Sequence, residues 1–529
     1  MKVPLLLTDF LDRAVKLYGE KTAIIDDGKE FTYAQVGERV NRLSRGLADL
    51  GVQKGDRVAY LAPNSSEMYE GFYGVLQLGA VMVPLNTRLI PDDYVYILNH
   101  SETKVLFVDQ ELYAQIEPVR DQLKTVKSIL VHGLETGNDD TFAYEEWLSY
   151  YESSDIGRPE MDEEDLATLL YTSGTTGKPK GVMLTHRSNY LHALTSMHHL
   201  RVSDRDVLLH VLPMFHVNGW GSPFYYTANG AVQVCLRKVQ PADIFKKINA
   251  YGVTVMHMAP TVLNSLLQYA DAHGYEKPRQ EMRIVVAGSA PPPAFVKRVE
   301  EEMQWEFIQV YGMTEASPLI TTSIIRDTQK HLEPEAKYRL KAKAGYSFIG
   351  SDVRVFTETG EEVQHNGRVI GEVAVRGNGV MEGYWNNPEG TAEVIRDGWY
   401  FTGDMAVVDE EGNIEIADRK KDIIISGGEN ISSIEVEGVL YDHPAVQEAA
   451  VISVPHEKWG ETPLAIVVIK EGLLTSEEEL IAFSRSKLAH FKAPTRVIFA
   501  DELPKTASGK IQKVHLRKEF WREKEKFVN

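Results

Sequence analysis

Eleven consecutive residues, Tyr171-Thr172-Ser173-Gly174-Thr175-Thr176-Gly177-Lys178-Pro179-Lys180-Gly181, hold four Ser or Thr hydroxyls, three glycines and two lysines. Side-chain donors, backbone N–H groups that can approach closely and positive charge together suit a polyphosphate. The spacing is not that of a P-loop NTPase. That motif keeps four residues between its glycines and a Ser or Thr after its lysine, whereas two residues separate Gly174 from Gly177 and Pro179 follows Lys178. A P-loop kinase or GTPase is therefore disfavoured. An ordinary Ser/Gly surface turn is disfavoured too, because it has no need of so many donors.

Such a loop must be held by regular elements, and the sequence supplies them. Leu166 to Leu170, directly before it, reads as a strand. From Thr32, the apolar residues Val36, Val40, Leu43, Leu47 and Leu50 recur at helical spacing, with Gly51 as a C-cap. Val58 to Ala62 reads as a buried strand, Ser66 to Gly79 as a helix and Ala80 to Pro84 as another strand. The alternation continues through strands at Lys104 to Asp109, Ser128 to His132, Asp206 to Leu212, Val253 to Ala259 and Arg283 to Ala287. An α/β fold of largely parallel sheets follows, with ligands expected at strand C-terminal ends.

After about Gly345, strand and turn signals take over, at Asp352 to Phe356, Gly371 to Arg376 and Asn413 to Ala417. We expect a β-rich subdomain over about 345–417, closing an N-terminal domain of 1–417. The charged run Asp418 to Asp422 reads as a joint. Beyond it, 423–529 reads as a small mobile α+β lid: helix at Ile434 to His443, strands at Val446 to Val454 and Leu464 to Lys470, helix at Ser476 to Ala489 and strand at Arg496 to Phe499.

The chain has 529 residues, enough for three or four structural units at about 150 residues each. Its net charge of −19 repels nucleic acid phosphates, so no nucleic acid partner is expected. The single cysteine, Cys235, forms neither an internal disulfide nor a zinc site, which suits a reducing, cytoplasmic compartment. Pro4 to Leu7 is too short an apolar run for a signal peptide, and no stretch approaches the roughly 20 residues of a membrane span. Peripheral membrane contact stays open.

Further motifs follow in order: Pro213-Met214-Phe215-His216, Tyr311-Gly312-Met313-Thr314-Glu315, Tyr400-Phe401-Thr402-Gly403-Asp404, Asp418-Arg419-Lys420-Lys421-Asp422 and Pro504-Lys505-Thr506-Ala507-Ser508-Gly509-Lys510. With the loop at 171–181, they make the whole chain resemble the adenylate-forming superfamily of acyl-CoA synthetases, firefly-type luciferases and peptide-synthetase adenylation domains. Phe215-His216-Val217-Asn218-Gly219-Trp220 and Gly427-Gly428-Glu429-Asn430-Ile431-Ser432-Ser433 most resemble medium- and long-chain fatty acyl-CoA synthetases.

The resemblance implies an AMP-forming fatty acid:CoA ligase using ATP, Mg²⁺ and coenzyme A. A carboxylate attacks the α-phosphate of ATP, and the CoA thiol then displaces AMP. The two anions must be brought together, so cations and positioning carry the work. Lys510 matches the lysine on the carboxylate and α-phosphate, with Thr314 and His216 beside it as catalytic residues. Thr172, Ser173, Gly174, Thr175, Thr176, Gly177 and Lys178 match the phosphate loop. Gly288, Ser289 and Ala290 resemble the loop along the adenine and acyl pocket, and Tyr311 with Gly312 the wall on adenine. Asp404 and Arg419 match the ribose and α-phosphate contacts, and Glu315, with Thr172, the magnesium ligands.

Lys421 occupies the hinge position, and Gly427 and Gly428 the thin wall past which pantetheine enters. His216, Asn218 and Trp220 are implied at the acyl chain, Trp220 as a gate; His216 and Trp220 share a face if the segment after Pro213 is helical. Ser289 replaces the commoner second glycine, and Ser432-Ser433 the frequent Tyr-Pro. A ligase for a short, aromatic or sulfur-containing acid is the nearest alternative, and a non-catalytic nucleotide or acyl sensor an alternative of another class. The resemblance also suggests a homodimer.

Overall fold

A computed structural model describes residues 2–138, 140–172, 178–288, 291–426, 429–505, 511–518 and 520–521. The Tyr33–Asp49 helix shows how local sequence sets an element. Thr32 accepts from the Gln35 amide and Gln35 returns the bond to the Thr32 amide, a reciprocal cap. Val36, Val40, Leu43 and Leu47 then fall on its buried face, and Gly51, just past its end, takes φ +80°.

Two large sheets share one core. In the nine-stranded sheet, five pairings from Thr22–Asp26 across to Glu306–Gly312 are parallel. In the eight-stranded sheet, the strands from Leu166–Thr172 to Thr141–Ala143 are parallel. Successive side chains point to opposite faces, so Val58 and Tyr60 enter the shared core while Ala59 and Leu61 pack on the outer face. Cys235 closes the Val232–Cys235 strand and is buried in this shared core.

The α/β class expected from the sequence is what the structure has, with one correction: the sheet rims are antiparallel. Leu166–Thr172 and Lys180–Thr185 form an antiparallel pair, Gly383–Tyr384 adds to its edge, and Glu306–Gly312 pairs antiparallel with Leu319–Thr322. The reason is connection length. The short stretch from Thr172 to Lys180 can join antiparallel neighbours, whereas a parallel neighbour needs a crossover of about a dozen residues. The strands that flank the phosphate-loop candidate are thus antiparallel neighbours.

A five-stranded antiparallel sheet follows, with Ile414–Arg419 alongside Trp399–Val408 and a core of Val355, Val373, Ala406, Val408 and Ile414. The chain leaves this sheet at Arg419 and enters the last one at Ile424. That sheet, built on the long pair Val446–His456 and Gly460–Ile469, has its own core of Ile424, Val451, Ala465, Val467 and Leu480. Among the described residues, no helix is long and apolar enough to cross a membrane.

Candidate active site

Residues from all four sheets line one cleft of about 2650 Å³. Its centre grows from the Glu306–Gly312 strand, whose end turns into the 3₁₀ turn Thr314–Ala316. Gly312 has to be glycine there: a Cβ would sit 1.8 Å from the Pro318 carbonyl oxygen. The close return of the chain presents Tyr311, Thr314 and Glu315 together on the cleft wall.

Asp404 and Arg419 come from adjacent antiparallel strands and face each other in register. The Arg419 Nε lies 2.8 Å from Asp404 Oδ1, and the Tyr311 hydroxyl donates to Asp404 Oδ2 at 2.8 Å. Asp404 is buried, and its charge raises the pKa of the Arg419 guanidinium above its ordinary value. Each carboxylate oxygen keeps a second lone pair, so Asp404 can still accept from two hydroxyls of a sugar.

Glu315 accepts at Oε1 from the Tyr384 hydroxyl at 3.0 Å, and burial raises its pKa. Lys180 stands over the Tyr384 ring, 4.7 Å from its centroid, and both line the cleft. Thr172 lines it as well, on the strand paired with Lys180. A carboxylate and a hydroxyl make a hard-oxygen set, the chemistry a magnesium ion requires.

His216, Trp220 and Gly288 line the same cleft. The indole of Trp220 is 5% exposed and stacks on His257, with ring centroids 5.8 Å apart. Here the sequence expectation needs correction, because the segment after His216 is not a right-handed helix. Val217, Asn218, Gly219, Trp220 and Gly221 have φ of 49°, 53°, 59°, 59° and 75°, a continuous left-handed turn that Gly219 and Gly221 make accessible.

Two further placements differ from expectation. Asn218 is not on the cleft wall: it is buried, and its amide donates to Thr168 Oγ1 and Asn189 Oδ1, both at 3.1 Å, bracing the turn. Lys178 sits over the Tyr96 ring at 5.0 Å and is not among the lining residues. Lys180, two residues on, is the lysine that reaches the wall. Ser173, Gly174, Thr175, Thr176, Gly177, Ser289, Ala290, Gly427, Gly428 and Lys510 lie outside the described residues.

Lys421 lines the cleft where the chain passes between the last two sheets, and burial lowers its pKa. Arg517, from the Lys513–Lys518 helix, donates to the Lys421 carbonyl at 2.7 Å and pairs with Asp422 at 2.5 Å. Lys180, Tyr384 and Arg517 are the site residues that sequence reasoning missed. Only Lys180 left a signal, as the second lysine of the loop.

Residues 11–385 match the family model described as AMP-binding enzyme, and residues 435–510 that of the AMP-binding enzyme C-terminal domain. The 2-methylpropanoate–CoA ligase CCL4 of Humulus lupulus is 39% identical, over 97% of this chain and 95% of its own. The long-chain-fatty-acid–CoA ligase of Thermus thermophilus is 40% identical, over 97% and 95%. The crystal structure of the anthranilate CoA ligase AuaEII in complex with anthranoyl-AMP superposes with a TM-score of 0.89 at 28% identity, covering 98% of both chains. The chain belongs to the family of AMP-binding enzymes.

Proposed function

We propose that the protein is an AMP-forming acid:CoA ligase, which joins a carboxylic acid to the α-phosphate of ATP with loss of pyrophosphate and then passes the acyl group to the thiol of CoA with release of AMP. The observation that carries this reading is the convergence of Asp404, Tyr311, Arg419 and Glu315 on one cleft wall: a sugar acceptor held by two donors beside a half-buried carboxylate. Asp404 holds the ribose, Arg419 adds a donor fork toward ribose or α-phosphate, and Tyr311 with Gly312 and Gly288 frames the base. Thr314 donates to phosphate. Glu315 and Thr172 would hold the magnesium ion, which when bound screens the phosphate charge.

Lys510 supplies the cation between the two reacting anions, and His216, which lines the cleft, is assigned to the acyl group. Lys421 is the hinge about which the C-terminal lid turns, so that Lys510 withdraws before CoA enters past Gly427 and Gly428. A single cysteine supports a reducing compartment, cytoplasmic in the simplest case, and a homodimer is proposed from the family resemblance alone.

For the acid, the residues 215–220 support a medium- or long-chain fatty acid, with Trp220 as its contact. The packing behind Trp220 favours a second reading, a short or aromatic acid. Isotope exchange between pyrophosphate and ATP over a panel of acids tests the ligase reading. Lys510→Ala should abolish exchange while sparing thioester formation from a supplied acyl adenylate; equal loss of both would refute the separated roles.

A further inference from the structure

We propose that Glu67, His132 and Glu145 form a structural site for a divalent cation of the zinc class. The lining of the cleft includes none of the three, and the site does not depend on the ligase reading.

The three side chains come from separate elements. Glu67 lies in the first turn of the Ser66–Gln77 helix, His132 closes the Ser128–His132 strand, and Glu145 lies in the first turn of the Tyr144–Ser149 helix. Folding brings one donor atom from each within 4.8 Å of the other two. Glu67 Oε1 is 3.3 Å from His132 Nε2. Donors placed tetrahedrally at zinc bond lengths of about 2.0–2.1 Å stand roughly 3.4 Å apart, so this pair has the spacing of two ligands on one ion.

The ring is already oriented. Asp109 and His132 are register partners on adjacent parallel strands, and His132 Nδ1 lies 3.4 Å from Asp109 Oδ2. Asp109 is fixed in turn, by the Arg237 guanidinium at 2.8 Å and the Glu111 amide at 3.1 Å. A proton on Nδ1, donated to Asp109, leaves the Nε2 lone pair facing Glu67. This is how a carboxylate sets the tautomer of a metal-bound histidine.

Glu67 supplies an independent observation. A glutamate in the first turn of a helix ordinarily meets the dipole from solvent, but this one is 5% exposed, and its Oε2 has no hydrogen-bond partner among the described residues. Oε1 has the Ser66 hydroxyl at 3.1 Å as well as the ring. A second proton on the imidazole would satisfy the contact of Nε2 with Oε1 and still leave Oε2 buried and unpaired, which is costly. A cation offsets the charge of the whole carboxylate, Oε2 included.

The surrounding charges favour one. Arg237 is matched by Asp109, and Arg39, which donates to the two Glu145 oxygens at 2.7 Å and 3.0 Å, is also paired with buried Glu70. Buried Asp26, accepting from the Ser66 amide at 2.9 Å, adds a further negative charge. Glu67 and Glu145 then balance the two charges of the ion. One imidazole with two carboxylates suits zinc, whereas magnesium and calcium take oxygen alone. Glu145 is exposed, which gives the ion a way in and water a fourth position.

The test uses the full chain stripped with EDTA, dialysed and given zinc chloride with magnesium in excess. About one zinc per chain should survive gel filtration, and the thermal midpoint should rise. His132→Gln should lose both effects while its far-ultraviolet circular dichroism stays that of the wild type. Asp109→Asn, at a positioning residue, should keep the site but weaken zinc binding by about 10–100-fold. Zinc that is absent, or that wild type and His132→Gln retain equally, overturns the proposal; unchanged affinity in Asp109→Asn does the same for the orienting role of Asp109. The cobalt-loaded wild type needs no variant: visible absorption of four-coordinate intensity is expected, and a weak spectrum like that of the aquo ion overturns the site.

Discussion

Asp404 is a carboxylate with both oxygens engaged before any ligand arrives, one by Tyr311 and one by Arg419. These contacts fix its orientation, so a sugar meets a preorganised acceptor and no side chain has to be ordered on binding. Tyr311→Phe removes one of them and leaves the ring. A hydrogen bond to a charged group contributes about 1.5–3 kcal/mol, so KM for ATP should rise by roughly tenfold or more with kcat less affected. Exchange kinetics at varied ATP measure this; an unchanged KM would mean that Tyr311 contributes only its ring face. Tyr311 and Asp404 were legible as separate motif residues. Their bond was not, because residues 93 apart in sequence meet only through the pairing of strands.

The Lys513–Lys518 helix is short, yet it touches the joint between the last two sheets at two places. Arg517 grips Lys421 and Asp422, and Lys513 pairs with Glu437 at 2.6 Å on the helix whose Ser433 amide donates to buried Asp418. In the proposed rotation of the lid, a helix tied to the joint in this way moves with it rather than fraying from it. Arg517→Ala should lower CoA-dependent turnover by about tenfold while pyrophosphate exchange changes much less, and Arg517→Lys should recover only part, since lysine lacks the fork. A parallel fall in both rates would assign Arg517 to lid folding instead.

Elements of this kind mark the limit of sequence reading. The alternation of apolar strands and helices was plain because it is local, and the Arg496–Phe499 strand falls where its apolar run lies. The left-handed turn at Val217 was not, because Phe215 to Trp220 carries a helix-compatible pattern and the chirality is set by contacts from Thr168 and Asn189. Arg517 carried no motif at all; its meaning depends on a carbonyl 96 residues away.

Across the whole molecule, buried histidines couple the fold to pH. Burial holds His186, His199 and His210 near a pKa of about 4 and His192 and His257 near about 3, and lowers that of half-buried His100 as well. Their unfolded value is about 6.5, so as pH falls below that the unfolded chain takes up protons that the folded chain refuses, and stability drops. Each adds a slope of up to about 1.4 kcal/mol per pH unit between the two values. His132 has the opposite sign: its bond to Asp109 raises its pKa, a contribution complete below about 6.5 and lost as pH rises through the folded value. Six against one, the thermal midpoint should fall steadily from pH 7 to pH 5, before most carboxylates titrate. A flat midpoint over that range would contradict neutral burial of these rings.

Cys235 is 2% exposed, and burial pushes its thiol pKa up, so the nucleophilic thiolate is both hidden and scarce. Maleimide dyes should pass the wild-type chain by. A cysteine introduced at Leu474, which is 96% exposed beyond the Gly460–Ile469 strand, would then be the one position to take a fluorophore, so that polarised emission could report the proposed lid rotation in an otherwise unaltered protein.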